Sequence, residues 1–293
     1  MKGLRRSFQF VPGSNPGMLQ NADILGADSV IFDLEDAVAL SEKDSARLLL
    51  AEALTTFDYS KIEVMVRVNP VDTADFGEDI KVLAHLPVDG LLIPKATLGS
   101  MRQAIAHLDA AGFQGSILPL IETALGVEEV FDILRLDPRI DGLLLGGEDL
   151  TLDLGVVRTK DGNEINYARN RVVSAGRAMK ITCIDTPFTD AGDLAGLRED
   201  TRYAKSLGFS AKASINPRHL PIIHEELSPS AREIKHALRV MDAVAVAQQE
   251  HKGVFSLDGR MVDAPVISRA AAVVETANRL GLVKEGAYVG KDS

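Results

Sequence analysis

SVIFDLED, residues 29–36, is a short run of apolar residues that ends in charged side chains, and seven other apolar runs recur along the chain. They are FQFVPG (8–13), EVMVRVN (63–69), GLLIPK (90–95), SILPLIE (116–122), DGLLLGGED (141–149), ITCIDTPF (181–188) and SAKASINP (210–217). Such runs, separated by helix-length spacers, are typical of parallel strands that are buried on both faces. Eight of them predict an α/β fold, a TIM-type (β/α)8 barrel.

Polar side chains cluster where these runs end. In a barrel of this type, the C-terminal ends of the strands form one mouth, which carries the active site. One charged residue there is most often a solvated loop residue, but six coincide with run ends. We therefore expect a single site that contains Glu35, Asp36, Arg67, Lys95, Glu122 and Asp149. The stretch over residues 151–171 is long for a connection and becomes polar after Arg158, and we expect it to form a flap over this mouth.

The chain is longer than a single barrel requires, with 293 residues against the roughly 250 that are typical. We predict a catalytic barrel over residues 1–227 and a C-terminal helical extension over residues 228–293. In the extension, a long amphipathic helix from Ser228 precedes the turn-rich segment GVFSLDGRMVDAP (253–265), and a final helix is expected over residues 266–280. The pattern leaves open whether the extension is a structural brace or a lid for a neighbouring subunit.

Composition narrows the class of protein. The formal net charge is −10 and there is no basic block, which argues against binding to nucleic acid or to anionic membrane surfaces. No apolar run is long enough for a signal peptide or a membrane-spanning helix, so we expect a cytoplasmic enzyme. The single cysteine, Cys183, lies inside an apolar run and is expected to be a small buried hydrophobe rather than a nucleophile.

The acids at two neighbouring run ends indicate the chemistry. Glu122 and Asp149 have no His or Cys near them in sequence, and two carboxylates are hard oxygen ligands that suit Mg²⁺. Glycosidases also use two carboxylates, but this chain has no Trp and few aromatic residues to stack sugars. Arg67, at a third run end, is a natural fork for a substrate carboxylate. The alternative for Arg67 is a structural ion pair with a neighbouring acid.

Several motifs together resemble those of a known family. The runs RRSFQFVPG, VIFDLEDAVALSEKDSAR, VRVNP, LIPK, IETALGV, GGEDL, INPRH and GVFSLDGRMVDAPVI occur in this order. They resemble the citrate lyase β subunits and their aldolase relatives, which include the malyl-CoA lyases, and the resemblance extends from Arg5 to about Leu280. It implies a TIM-type barrel with a C-terminal helical extension, usually assembled as a homotrimer.

The resemblance also implies a reaction and roles for individual residues. The reaction is cleavage of a carbon–carbon bond in a 3-hydroxy-3-carboxyacyl thioester; a citryl thioester would give oxaloacetate and an acetyl thioester. Glu122 and Asp149 would hold Mg²⁺, and Arg67 would bind a substrate carboxylate. Asp36 would belong to the catalytic group, and Gly147 and Glu148 would offer backbone contacts to the oxo acid. Asp263 would come from the extension of a neighbouring subunit to exchange a proton with the acetyl carbon.

Alternatives remain open at this point. The first is a stand-alone citramalyl-CoA or malyl-CoA lyase, or a thioesterase, of the same family. The second is a subunit that serves only assembly, and the third is a metal-assisted aldolase acting on free oxo acids, since the fold alone does not decide the chemistry. The thioester substrate would be carried by CoA or by a carrier protein, and citrate lyase α and γ subunits are possible partners.

Overall fold

The computed structural model describes residues 5–249, 255–257 and 259–283. Eight strands make up its first part: β1 (Ser7–Pro12), β2 (Ser29–Asp33), β3 (Glu63–Arg67), β4 (Gly90–Ile93), β5 (Ser116–Ile121), β6 (Gly142–Leu145), β7 (Thr182–Asp185) and β8 (Ala211–Ser214). Each strand pairs in parallel with the next, and β1 also pairs with β8, so the sheet closes. The predicted TIM-type barrel is confirmed, and every predicted run overlaps one strand.

Helices follow the strands along the chain. They are α1 (Pro16–Gln20), α2 (Lys43–Thr56), α3 (Ala74–Leu83), α4 (Leu98–Ala110), α5 (Ala124–Leu134), α6 (Gly147–Asp153), α7 (Asn166–Met179), α8 (Leu194–Leu207), α9 (Leu220–Leu227), α10 (Ala231–Gln249) and α11 (Ala264–Arg279). Threonine side chains cap the first turns of α4 and α5, where Thr97 and Thr123 accept backbone N–H bonds. None of the described helices combines the length and the apolar character needed to cross a membrane.

The barrel has two apolar layers, one inside it and one between its strands and the surrounding helices, which explains why the strands are hydrophobic at nearly every position. Successive side chains of a strand point to opposite faces, so Ile31 packs inside the barrel whereas Phe32 packs between the barrel and its helices. The interior layer also contains Phe8, Met65, Leu92, Leu118, Leu120, Leu144 and Ile184. Cys183 belongs to the outer layer, and burial raises the pKa of its thiol to about 11, as expected for a structural residue.

The connection after β6 differs from its prediction. Residues 151–153 still belong to α6, and α7 begins at Asn166, so the expected flap of residues 151–171 is reduced to the segment between these two helices. Arg158 in that segment forms ion pairs with Glu164 and Glu148. The polar character after Arg158 that suggested a flap comes partly from the first turns of α7, where Tyr167 and Asn170 are exposed.

The chain divides into two compact units, residues 1–224 and residues 225–293. In the second unit, α10 and α11 pack through a small apolar core that includes Ala237, Val240, Val244, Val262, Ala270 and Val274. The segment predicted as turn-rich contains an antiparallel hairpin, β9 (Phe255–Leu257) with β10 (Arg260–Val262). The turn uses Gly259 at a φ of +74°, a conformation that glycine adopts readily.

Candidate active site

Arg67 is positioned by the register of β2 and β3. Asp33 and Arg67 are paired residues at the ends of these strands. The Arg67 guanidinium donates from Nε to Asp33 Oδ1 at 2.7 Å and from NH2 to Asp33 Oδ2 at 2.6 Å. Its face lies over the ring of Phe10, 5.1 Å from the centroid. A two-bond ion pair and an aromatic contact therefore hold the guanidinium in one orientation.

Two further acids contact the remaining nitrogen of Arg67. NH1 lies 2.8 Å from Glu35 Oε2 and 3.3 Å from Asp36 Oδ2. Burial raises the pKa of Glu35 to about 7; the charge of Arg67 lowers it, and Asp36 raises it further. Glu35 is buried, whereas the Asp36 side chain is 61 % exposed. Arg67 does form ion pairs with neighbouring acids, which was the alternative to substrate binding. Of the three contacts, the one to Asp36 is the longest, and its acid is the most exposed.

Glu122 follows β5 and is held by the backbone of the preceding strand–helix connection. The N–H of Lys95 donates to Glu122 Oε1 at 2.7 Å, and Lys95 has a φ of +50°, which is unusual for a residue with a side chain. Burial raises the pKa of Glu122 to about 8; the Lys95 N–H lowers it, and the charge of Asp149 raises it. The Lys95 side chain itself is half-exposed, and its Nζ lies 3.9 Å from Glu35 Oε1.

The two glycines after β6 bring the first turn of α6 close to its neighbours. A Cβ on Gly146 would lie 2.7 Å from Glu122 Cβ, and a Cβ on Gly147 would lie 2.9 Å from Thr186 Oγ1. The Gly147 N–H donates to that hydroxyl at 2.9 Å. Because its N–H is bonded to Thr186, Gly147 is not available to donate to a ligand; it allows the backbone to lie close to the Thr186 side chain. Of the two backbone contacts predicted for an oxo acid, the one from Glu148 is therefore favoured.

One cavity of about 450 Å³ brings most of the predicted residues together. Its lining includes Asp36, Arg67, Glu122, Gly147, Glu148 and Asp149. Phe10, Leu120 and Leu144 supply apolar surface. Charged groups from β2, β3, β5 and α6 therefore face one space at the C-terminal ends of the strands, as expected of a barrel active site.

Asp263 belongs to the second unit and is not one of the residues that line this cavity. It precedes α11, and its Oδ1 accepts the N–H of Val266 at 3.2 Å, which caps the helix. The capping bond accounts for an acid at this position without any catalytic role. The catalytic role of Asp263 stays a prediction.

Magnesium fits the acid pair of the cavity. Mg²⁺ is typically bound by one or two protein carboxylates, with waters and substrate oxygens completing its octahedron. The raised pKa of Glu122 reflects in part its repulsion by Asp149, and a divalent cation relieves such repulsion. In the part of the chain that the structure describes, no group of three or more His, Cys, Asp or Glu side chains is arranged to hold a metal ion. Glu122 and Asp149 would therefore leave several coordination positions to water and substrate.

Sequence reasoning missed three residues around the cavity. Asp33 holds Arg67, Thr186 holds Gly147, and the buried Lys43 donates from Nζ to the carbonyls of Leu34 and Glu35 at 2.7 Å. Asp33 is the last residue of a strand, like Arg67, so aligning the two runs by length would have paired them. No sequence pattern could have identified Thr186 and Lys43, because their partners are backbone groups that any residue provides.

Comparison with known proteins agrees with this geometry. A family model described as HpcH/HpaI aldolase/citrate lyase matches residues 6–217. The chain belongs to this family. The citrate lyase subunit beta of Leuconostoc mesenteroides subsp. cremoris is 41 % identical over 297 residues, which cover 98 % of each chain. The family membership confirms the resemblance that the motifs indicated and makes this protein a carbon–carbon lyase.

Solved structures of the family share the fold. Protein CitE from Mycobacterium tuberculosis, in complex with magnesium, acetoacetate and coenzyme A, is 29 % identical, with a TM-score of 0.79 over 95 % of this chain and 100 % of that one. A citrate lyase β subunit from the same organism, complexed with oxaloacetate and magnesium, is 30 % identical, with a TM-score of 0.67 over 78 % of this chain and 98 % of the other.

Proposed function

We propose that this chain is the β subunit of a citrate lyase, which cleaves a citryl thioester into oxaloacetate and an acetyl thioester in a Mg²⁺-dependent reaction. The observation that carries this proposal is the single cavity in which Arg67, Glu122 and Asp149 meet. The similarity to citrate lyase subunit beta over 98 % of both chains supports the choice of substrate. The ligands of the CitE structures, magnesium with oxaloacetate or with coenzyme A, support the metal and the thioester.

Glu122 and Asp149 are the proposed metal ligands. When bound there, Mg²⁺ supplies Lewis-acid stabilisation for the hydroxyl oxygen and adjacent carboxylate of the substrate. The Lys95 N–H keeps one oxygen of Glu122 engaged, so the carboxylate is oriented before any ligand arrives. The apolar part of the lining limits water around the reacting groups, which strengthens the interactions of the charged side chains with the substrate.

Arg67 is the proposed anchor for a substrate carboxylate. Asp33 occupies its Nε and NH2 edge, so an incoming carboxylate reaches NH1, where it replaces the exposed Asp36. Asp36, once displaced, is free to accept the proton of the substrate hydroxyl. The carbonyl of oxaloacetate then forms as the carbon–carbon bond to the methylene group breaks, and the electron pair of that bond passes to the thioester enolate.

The enolate takes up a proton to become the acetyl thioester, and the protonated carboxyl of Asp263 is the proposed donor. Exchange with water then returns a proton to Asp263 and removes the one on Asp36. The helix-capping bond of Asp263 uses only one of its two carboxyl oxygens in the contacts seen here. We assign this proton transfer to Asp263 of a neighbouring subunit in a homotrimer. The thioester is carried by CoA or by a carrier protein, and citrate lyase α and γ subunits in the cytoplasm are the proposed partners.

The first test is oxaloacetate release from citryl-CoA by the purified chain, measured with and without Mg²⁺. Citramalyl-CoA and malyl-CoA serve as parallel substrates, with each oxo acid detected separately. We expect Mg²⁺-dependent cleavage that prefers citryl-CoA. A preference for either of the other thioesters would replace this proposal with a stand-alone lyase, and hydrolysis without carbon–carbon cleavage would indicate a thioesterase.

The metal assignment has its own variant. We expect Asp149→Ala to abolish metal-dependent cleavage because only Glu122 then remains as a protein ligand. Asp153→Ala is the matched control: it removes an exposed acid from the same helix, one that contacts the Ala124 N–H and does not line the cavity. Near-full activity of Asp149→Ala, with an unchanged melting temperature, would refute the assignment.

A further inference from the structure

A buried cluster of four charged residues, which the proposed reaction does not use, lies beside the cavity. Asp185 ends β7 and is paired in register with Lys212 of β8. Arg169 of α7 donates from Nε and NH2 to Asp185, both at 2.9 Å, and from NH2 to Asp200 of α8 at 2.7 Å. Lys212 Nζ donates to Asp185 at 2.6 Å and to Asp200 at 2.7 Å. Two cations thus balance two anions.

The burial of this cluster needs a reason beyond stability. Arg169, Asp185 and Lys212 are fully buried, and Asp200 is nearly so. Removing four charges from water costs so much that hydrophobic residues of similar volume often stabilise a protein at least as well. Buried ionic groups do, however, fix the relative positions of the elements that carry them. Here they join the ends of β7 and β8 to α7 and α8.

One hydrogen bond leads from the cluster to the cavity. Lys212 Nζ also donates to the carbonyl of Thr186, the residue after β7, at 2.8 Å. Thr186 is buried and lines the cavity, and its hydroxyl accepts the Gly147 N–H at 2.9 Å. Gly147 begins α6, two residues before Asp149. A continuous set of bonds therefore runs from Lys212 through Thr186 to the turn that presents Asp149.

The contact between Thr186 and Gly147 is close on both sides. A Cβ added to Gly147 would lie 2.9 Å from the Thr186 hydroxyl and 3.2 Å from its methyl carbon. The first turn of α6 therefore lies against Thr186 with no room for a side chain at position 147. It cannot move away without breaking the bond from its first N–H. The position of this turn is thus set by Thr186.

We propose that Thr186, held by Lys212, is a positioning residue that directs the first turn of α6 and thereby aims the Asp149 carboxylate at the metal position. The proposal rests on the proposed function of Asp149 as a Mg²⁺ ligand. It also gives the buried charge cluster a role in the site: Lys212 binds the carbonyl of Thr186, and the hydroxyl of Thr186 binds the N–H of Gly147. Residues that orient metal ligands in this way typically contribute about 10- to 100-fold to metal affinity.

The test is Mg²⁺ binding by titration calorimetry on the purified full-length chain. Thr186→Val keeps the shape of the side chain but removes the acceptor of the Gly147 N–H, and we expect it to weaken Mg²⁺ binding about 10- to 100-fold. Thr186→Ser restores the hydroxyl and should bind within about threefold of the parent. Gly147→Ala disturbs the same contact from the other side and should also weaken binding.

The matched control is Thr201→Val. Thr201 is a buried threonine of α8 whose hydroxyl donates only to the carbonyl of Leu197 in the contacts described, so its loss should lower the melting temperature without changing Mg²⁺ affinity. Parent-like Mg²⁺ affinity of a folded Thr186→Val would overturn the positioning role alone. Absence of Mg²⁺ binding by the parent would overturn both this role and the metal assignment. Binding without citryl-CoA cleavage would leave the positioning role intact and refute the proposed reaction.

Discussion

Asp33 contacts four groups at the end of β2. Its oxygens accept two bonds from Arg67 and one each from the backbone N–H groups of Glu35 and Ala37. The carboxylate therefore shapes the chain after the strand and orients the guanidinium at the same time. Charge-assisted bonds of this two-pronged kind add both energy and direction.

Replacing Asp33 should leave Arg67 without its two-bond partner and so disturb the orientation of the guanidinium. In Asp33→Asn, an amide NH₂ faces one guanidinium nitrogen, and Arg67 keeps only the acid contacts at NH1, to Glu35 and Asp36. Breaking a buried ion pair costs about 3–5 kcal/mol, and the remaining contact to Glu35 offsets part of this cost. We expect kcat/KM for citryl-CoA to fall by about 100-fold or more, together with a lower melting temperature. Steady-state kinetics and thermal unfolding measure both effects.

Asp44→Asn is the control for that experiment. Asp44 pairs with Arg47 at 2.6 Å, but its side chain is 88 % exposed, and pairs of this kind contribute about 0–1 kcal/mol. We expect parent-like activity and stability. If Asp33→Asn behaves like Asp44→Asn, the orientation of Arg67 does not depend on Asp33.

The raised pKa of Glu122 predicts a pH dependence of stability. In the folded protein the pKa is about 8, against an ordinary value of 4.5, so between these values the folded state holds the proton more tightly than the unfolded state. The free energy of unfolding should therefore decrease as pH rises from about 5 to 8, by up to about 1.4 kcal/mol per pH unit from this group. Below pH 4.5 Glu122 is protonated in both the folded and the unfolded state, so its full contribution to the free energy of unfolding is present there.

Chemical denaturation of the metal-free protein at pH 5.5 and 7.5 measures this effect. Glu122→Gln should show a smaller loss of stability between the two pH values than the parent. Added Mg²⁺ should restore stability to the parent at pH 7.5 but not to Glu122→Gln, because the variant lacks the charge of the proposed ligand. Equal pH slopes in the two proteins would contradict the raised pKa.

At the scale of elements, α7 packs on the barrel through a glycine. A Cβ on Gly176 would collide with the Cys183 sulfur of β7 and lie 3.3 Å from a methyl carbon of Leu143 in β6. The helix can lie this close to the sheet only because no side chain separates them. The same helix carries Arg169 into the charge cluster, so the glycine contact helps to determine where that guanidinium lies.

A double-mutant cycle tests this packing. Gly176→Ala should destabilise the protein by about 1–3 kcal/mol through overpacking, partly offset by the better helix propensity of alanine. Cys183→Ala removes the colliding sulfur, so the double variant should be more stable than the sum of the two single changes predicts. Chemical denaturation gives the four free energies. Simple additivity would show that Gly176 and Cys183 do not constrain each other.

At the scale of the whole molecule, Asp263 can be tested by mixing two inactive variants. Asp149→Ala lacks a proposed metal ligand, and Asp263→Ala lacks the proposed proton donor. If Asp263 serves the barrel of a neighbouring subunit, random co-assembly of the two chains in equal amounts should restore about one site in four. Activity of the co-expressed mixture, compared with each variant alone, measures this.

The control for the mixing experiment is the double variant Asp149→Ala/Asp263→Ala co-expressed with the parent in equal amounts. About one site in four should be active if Asp263 acts between subunits that co-assemble, and about one in two if it does not. An absence of recovery in chains that co-assemble would exclude action between subunits. A fully active Asp263→Ala would leave the residue with only the capping role that its bond to Val266 shows.

The amino-acid sequence by itself determined the barrel and the edge at which the site lies. Both follow from local rules: buried strands must be apolar on both faces, and the polar residues after them must gather at one end when the strands are parallel. Arg67, Glu122 and Asp149 could therefore be assigned to one mouth before their positions were known, and the structure places all three around one cavity. The hairpin before Asp263 was missed because its strands are only three residues long.

Only the tertiary structure decided which side chains meet. Asp33, Glu35 and Asp36 lie within four residues of each other, and until the ends of β2 and β3 are known the sequence does not show which of them holds Arg67. The register of β2 against β3 chooses Asp33, and the register of β7 against β8 places Asp185 beside Lys212. Register depends on how the whole sheet closes, so the partners of buried charges, and with them the pKa values of Glu35 and Glu122, are properties of the folded barrel.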